Sequence, residues 1–175
     1  MPREPRYEGR SLSAWLADLD LESPKSQEKP AQAVRAIGTN ALPWLRKMLV
    51  SKSPIWERTS VAVNANQSLI QFSVTPDNEV RNRALRGYSA LGNQAKCDVP
   101  HLIQLMESES SPQVRSYVAL ALGNIGPAAT EAIPVLEWAT LDKDEEVHKN
   151  AVSALANIKM WTPDGGPMFR RSGEY

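Results

Sequence analysis

Val80, Val114 and Val147 open three similar stretches that stand 34 and then 33 residues apart. Asn78-Glu79-Val80-Arg81 leads to Ala84, Leu85, Tyr88 and Leu91-Gly92. Pro112-Gln113-Val114-Arg115 leads to Val118, Ala119, Leu122 and Ile125-Gly126. Glu145-Glu146-Val147-His148 leads to Ala151, Val152, Leu155 and Ile158. A fainter copy ends at Ala33-Val34-Arg35-Ala36-Ile37-Gly38. Self-similarity at such a period marks an architecture of stacked units. Within a copy the apolar residues fall at i, i+4, i+8 and i+11, which is one face of a helix. Small residues between them, Ala119, Ala121 and Gly123, let neighbouring helices come close. Gly38, Gly92 and Gly126 follow the last apolar residue, where a helix end favours the left-handed backbone.

A second, shorter helical pattern follows each glycine and is introduced by a proline. It reads Ala41-Leu42-Pro43-Trp44-Leu45, Asp98-Val99-Pro100-His101-Leu102 and Ala132-Ile133-Pro134-Val135-Leu136. Proline suits a first helical turn, because the N–H it lacks has no partner there. Ser53-Pro54, Thr75-Pro76 and Ser111-Pro112 read as N-caps followed by proline. No stretch shows sustained strand alternation or hairpin chemistry. Each helix–turn–helix unit leaves an apolar face that only the next unit can cover. The expected fold is all-α: an α-solenoid of about four helical hairpins.

Some parts break the period. Gly38 and Gly92 lie 54 residues apart, against 34 for Gly92 and Gly126, leaving about 20 extra residues in the second hairpin. Ile55/Trp56, Ala62/Val63 and Leu69/Ile70 recur every seven residues there, so residues about 54–75 are expected to form an inserted helix. That helix either caps the core or offers a seam to a partner or second copy. Leu12, Trp15, Leu16 and Leu19 form the apolar face of an N-terminal capping helix. The expected organisation is a flexible tail over 1–10, a solenoid domain over 11–160, and a flexible tail over 161–175, broken by Pro163-Asp164-Gly165-Gly166-Pro167.

The run from Val114-Arg115-Ser116-Tyr117-Val118 through Gly123-Asn124-Ile125-Gly126-Pro127, followed by Ala132-Ile133-Pro134-Val135-Leu136, resembles HEAT repeats of the bacterial, phycobilisome-lyase-like type. The resemblance covers about residues 28–160. It implies the solenoid and a general binding habit rather than a reaction. The family also includes di-iron deoxyhypusine hydroxylases, which carry His-Glu pairs. This sequence has no His-Glu dipeptide, so the resemblance does not carry that activity with it.

The residues themselves offer little chemistry. There is no GxGxxG, Walker loop, HExxH or GxSxG. His101 and His148 are the only histidines. Cys97 and His101 stand four apart, without further ligands at useful spacing. Glu145 and His148 form Glu-x-x-His with no second such pair to face it. Asp142-Lys143-Asp144-Glu145-Glu146 starts like a calcium loop, but Val147 stands where the loop needs glycine. The run reads instead as a turn and helix start. Trp15, Trp44, Trp56 and Trp138 lie in helical apolar patterns and read as core. No cofactor and no metal are expected, and the chain is read as no enzyme.

Lys and Arg number 20, as do Asp and Glu, so there is no cationic excess of the kind a general nucleic-acid binder needs. No apolar run approaches the ~20 residues of a bilayer span. One cysteine and a charged start point to the cytoplasm, unless the chain is a piece of a longer secreted or anchored protein.

The reading favours a non-catalytic scaffold that presents a concave helical surface to a protein or peptide. If Val114, Val118, Leu122 and Ile125 face the core, then Gln113, Tyr117, Leu120 and Asn124 face away. The matching sets are Glu79, Arg83 and Arg86, and Glu146, Asn150, Ser153 and Asn157. Tyr117 beside Leu120 makes a plausible anchor. The alternatives are a nucleic-acid binder using Arg81, Arg83 and Arg86, or a lyase-like accessory protein for a chromophore.

Overall fold

The computed structural model of the chain describes residues 3–19, 24–51 and 76–159, apart from the side chains of 24–26 and 76–77. Eight α-helices lie within these stretches: α1 (Leu12–Asp18), α2 (Pro24–Ile37), α3 (Leu42–Val50), α4 (Pro76–Leu91), α5 (Val99–Ser108), α6 (Pro112–Ile125), α7 (Ile133–Ala139) and α8 (Glu145–Lys159). The pairs α1/α2, α3/α4, α5/α6 and α7/α8 are the expected hairpins, and the fold is an all-α solenoid. The inserted helix expected at about 54–75 and the tail at 161–175 lie outside the described residues.

Long and short helices form separate layers. The long α2, α4, α6 and α8 pack successively on one another, while the short α3, α5 and α7 pack against them. One apolar core threads all four hairpins. Leu16, Leu45, Leu49, Leu102, Leu122 and Leu136 are each fully buried within it. Each such side chain contributes roughly 1.5–3 kcal/mol of transfer free energy. Val114 and Val147 are fully buried and Val80 is half-buried. Gly38, Gly92 and Gly126 have φ of 61°, 48° and 72°, the left-handed backbone their place in the repeat requires. Each starts a short 3-10 segment that carries the chain into the next proline-bearing helix.

Two glycines serve the packing instead. A Cβ on Gly123 of α6 would stand 2.9 Å from Ala154 Cα of α8. A Cβ on Gly87 of α4 would stand 2.5 Å from a Leu45 methyl of α3. The helices approach closely because these residues lack side chains.

The start of the chain differs from the flexible tail expected of it. Arg6–Tyr7 (β1) and Arg10–Ser11 (β2) pair as an antiparallel hairpin. Its two-residue turn is Glu8-Gly9, both at positive φ, the geometry that matches strand twist. The hairpin is tied to α1: Trp15 Nε1 donates to Tyr7 O at 3.1 Å, and Arg10 lies 4.1 Å over the Trp15 ring. Ser11 caps α1 through its hydroxyl.

Pro112–Ala139 is long and apolar enough to pass for a membrane span by composition. It is no single rod: the chain leaves α6 at Gly126 and re-enters helix as α7, with half of the span's apolar window buried inside the solenoid.

Candidate functional site

The residue after each repeat valine has one structural task. Arg81 Nε donates to Leu49 O at 3.0 Å and Nη2 to Ser51 O at 2.8 Å, closing the end of α3. Arg115 Nη1 donates to Glu109 O and Ser110 O at 3.1 Å each, closing the end of α5. His148 Nδ1 lies 2.6 Å from Thr140 O, at the end of α7. A helix leaves its last carbonyls without intrahelical partners, and these side chains supply them. Arg81 is only 2% exposed, so the proposed Arg81/Arg83/Arg86 nucleic-acid face is not a row of solvent-facing cations. Arg83 is engaged as well, bonded to Glu79 at 3.1 Å.

Several residues expected to face a partner instead join neighbouring long helices. Gln113 donates to Asn78 at 2.7 Å, Asn124 to Leu85 O at 3.2 Å, and Asn150 to Ser116 at 2.7 Å. Tyr117 and Leu120 are half-buried. Burial pushes the Tyr117 hydroxyl pKa above its usual value, against the pull of Arg81, whose guanidinium lies 5.8 Å from the ring. Glu146, Ser153 and Asn157 are exposed on α8. The acidic run is a turn and helix start: Asp144 accepts from the Glu146 and Val147 N–H groups at 3.1 Å each. Ser111 stands at the N-cap of α6 without a side-chain cap bond.

The most structured polar cluster surrounds Asp98, which sequence reasoning passed over. Asp98 is 2% exposed at the start of α5. It accepts from the Tyr88 hydroxyl at 2.7 Å. Arg46 Nε and His101 Nδ1 approach its other oxygen at 3.1 and 3.5 Å. Burial raises the Asp98 pKa, though Tyr88, Arg46 and His101 all pull it back. Burial, then the neighbouring carboxylate, pushes the Tyr88 hydroxyl far above its ordinary value. Cys97 is exposed and free.

Two grooves flank α5 on the short-helix layer. The first, of about 640 Å³, lies between α5, the start of α6 and the turn after α7. Met106, Trp138 and Leu141 give it apolar walls. Glu107, Glu109, Asp142 and Asp144 bring four carboxylates, against Arg115 and Lys143. Trp138 is 65% and Leu141 81% exposed, so Trp138 is not the core residue expected of it. The phase of α7 carried the signal: its buried residues are Val135, Leu136 and Ala139, and Trp138 falls on the other side. The second groove, of about 390 Å³, lies between α3 and α5 and is lined by Arg46, Lys47 and His101 with Val50, Gln104 and Ser108 among its other residues.

Residues 99–171 match the family of HEAT repeats, whose two-helix units are the units described above. The C-terminal hairpins are thus similar to HEAT repeats, and the same two-helix unit recurs through the described residues. The chain is 41% identical over 69 residues to a deoxyhypusine hydroxylase from Eremothecium gossypii, a match covering 39% of this chain and 20% of the relative. The chain thus spans about a fifth of that relative's length. This likeness overturns two expectations. A non-catalytic scaffold and the absence of enzymatic function both rested on missing motifs, and the repeats prove similar to those of an enzyme.

The described residues do not, however, offer a di-iron ligand set of the kind the family resemblance implies for such hydroxylases. Among the described residues no three His, Cys, Asp or Glu side chains come together as a metal site. His101 Nδ1 faces Asp98, while His148 Nδ1 is taken by a backbone carbonyl one repeat further on.

Proposed function

We propose that the chain works as the substrate-binding portion of an enzyme that modifies an amine-bearing side chain. The observation that carries this reading is Trp138, held in solvent beside Leu141 and four carboxylates. An aliphatic stem lies favourably along an indole face and Leu141, and an ammonium group gains from both the ring and nearby carboxylates. Three of the carboxylates already have partners. Asp142 binds Arg115 at 2.8 Å, Asp144 caps α8, and Glu109 accepts from the Ser111 N–H. Glu107 is engaged by no other described residue and is the group offered to the ligand. The likeness to a deoxyhypusine hydroxylase supports the same class of substrate. The reacting group comes from outside the described residues, which supply binding and orientation.

The test uses spermidine as an aliphatic amine probe, followed by the indole resonance of Trp138. Saturable binding that weakens with added salt is expected. Trp138→Ala and Glu107→Gln should each weaken it about tenfold, or ~1.4 kcal/mol. No saturable shift at low salt, or unchanged binding by both variants, would remove the reading.

A further inference from the structure

We infer that the groove between α3 and α5 docks an acidic peptide segment, one repeat away from the amine groove. Its cations are held in place from beneath. Arg46 Nε stands 3.1 Å from the buried Asp98 as an ion pair rather than a hydrogen bond, and Tyr88 holds Asp98 in turn. This leaves Nη1 and Nη2 of Arg46 without a described partner. The Lys47 ammonium lies 5.3 Å from the Trp44 ring centre, on the next position of α3. His101 turns Nδ1 toward Asp98 and lines the groove as well. Anchored side chains lose less rotamer freedom when a ligand arrives, which favours recognition over loose counter-ion attraction.

The lining selects a peptide over a nucleic acid. Pro43, Val50 and Leu105 alternate with the polar groups, giving footholds for apolar side chains between carboxylates. The cationic strip is short, and Glu107 and Glu109 follow it at the far end of α5. A polyphosphate running on in that direction meets like charge, whereas a peptide can change sign along its length. Carboxylates suit the offered donors: the free end of a guanidinium can bind one in bidentate fashion. The inference does not depend on the amine groove, since the two sites share only helix α5.

The probe is a labelled short peptide alternating Glu and Leu, with a Lys/Leu peptide as control, read by fluorescence anisotropy on the full chain. The acidic peptide should bind and the control should not. Lys47→Glu and Gln104→Glu, both at exposed positions, should each weaken binding about tenfold or more. Trp138→Ala in the neighbouring groove should leave it unchanged. Circular dichroism of each variant checks that the fold survives. The inference is overturned if the acidic peptide fails to bind at low salt, or if both charge reversals bind it as wild type does. It is also overturned if a single-stranded oligonucleotide of equal charge binds more tightly than the peptide.

Discussion

The side chain following each repeat valine closes the end of the helix before it, but from three depths. Arg81 is 2% exposed, the Arg115 side chain 16%, and His148 lies in solvent. A bond to an otherwise unpaired buried carbonyl is worth more than the same bond in water. Arg81→Met should therefore cost about 2–3 kcal/mol, Arg115→Met about 1–2, and His148→Ala less than about 1. Urea denaturation of the three variants measures this. Equal losses, or the largest loss at His148, would show that the shared position has no shared task. The sequence places these residues in register but hides their depth. Arg81 sits among Asn78, Glu79 and Arg83, and nothing local separates a buried cation from a solvated one.

At the scale of helices, spacing between α6 and α8 is set by missing atoms. Gly123→Ala brings a methyl to 2.9 Å from the Ala154 backbone, which cannot rotate aside. The cost should be about 1–3 kcal/mol, outweighing the ~1 kcal/mol that alanine gains over glycine in a helix. Gly87→Ala meets the methyl end of Leu45 instead, which can rotate. It should cost clearly less. Thermal unfolding of the pair decides the matter, and a Gly123→Ala protein as stable as wild type would contradict the close packing. Helices were legible in the sequence because each long one shows three or four apolar positions in phase, and α2, α4 and α6 end on a glycine stop. The terminal hairpin was not, because two-residue strands cannot display alternation. Trp138 was misread because residue type was weighed above helical phase. The Asp98 cluster joins Asp98, at the start of one hairpin, to Arg46 and Tyr88 of the hairpin before it, a proximity that only the stacked fold creates.

Across the whole molecule, two aspartates pull stability in opposite directions with pH. Burial disfavours ionised Asp142, but bonds from the Asp144 N–H and Arg115 outweigh it and hold its carboxyl below the usual 3.8. Its contribution is present above that value and is lost as pH falls through the lower folded one. Asp98 is raised above 3.8, so its contribution is present in acid and is lost as pH rises through its folded value. Asp142→Asn should flatten the fall in stability below pH 3.8, and Asp98→Asn should remove the gain that acidification brings between the raised folded value of Asp98 and pH 3.8. Denaturation midpoints across that range measure both slopes. Identical pH profiles for both variants and wild type would show that neither carboxyl is perturbed by folding.

Arg81 has one more effect, on what the fold can absorb. Its grip on Ser51 O pins the chain where it leaves α3, and α4 begins again at Pro76 within the same hairpin. The one side chain thus ties the two arms of the second hairpin together, and a loss at Arg81 is absorbed by both helices at once rather than by either alone.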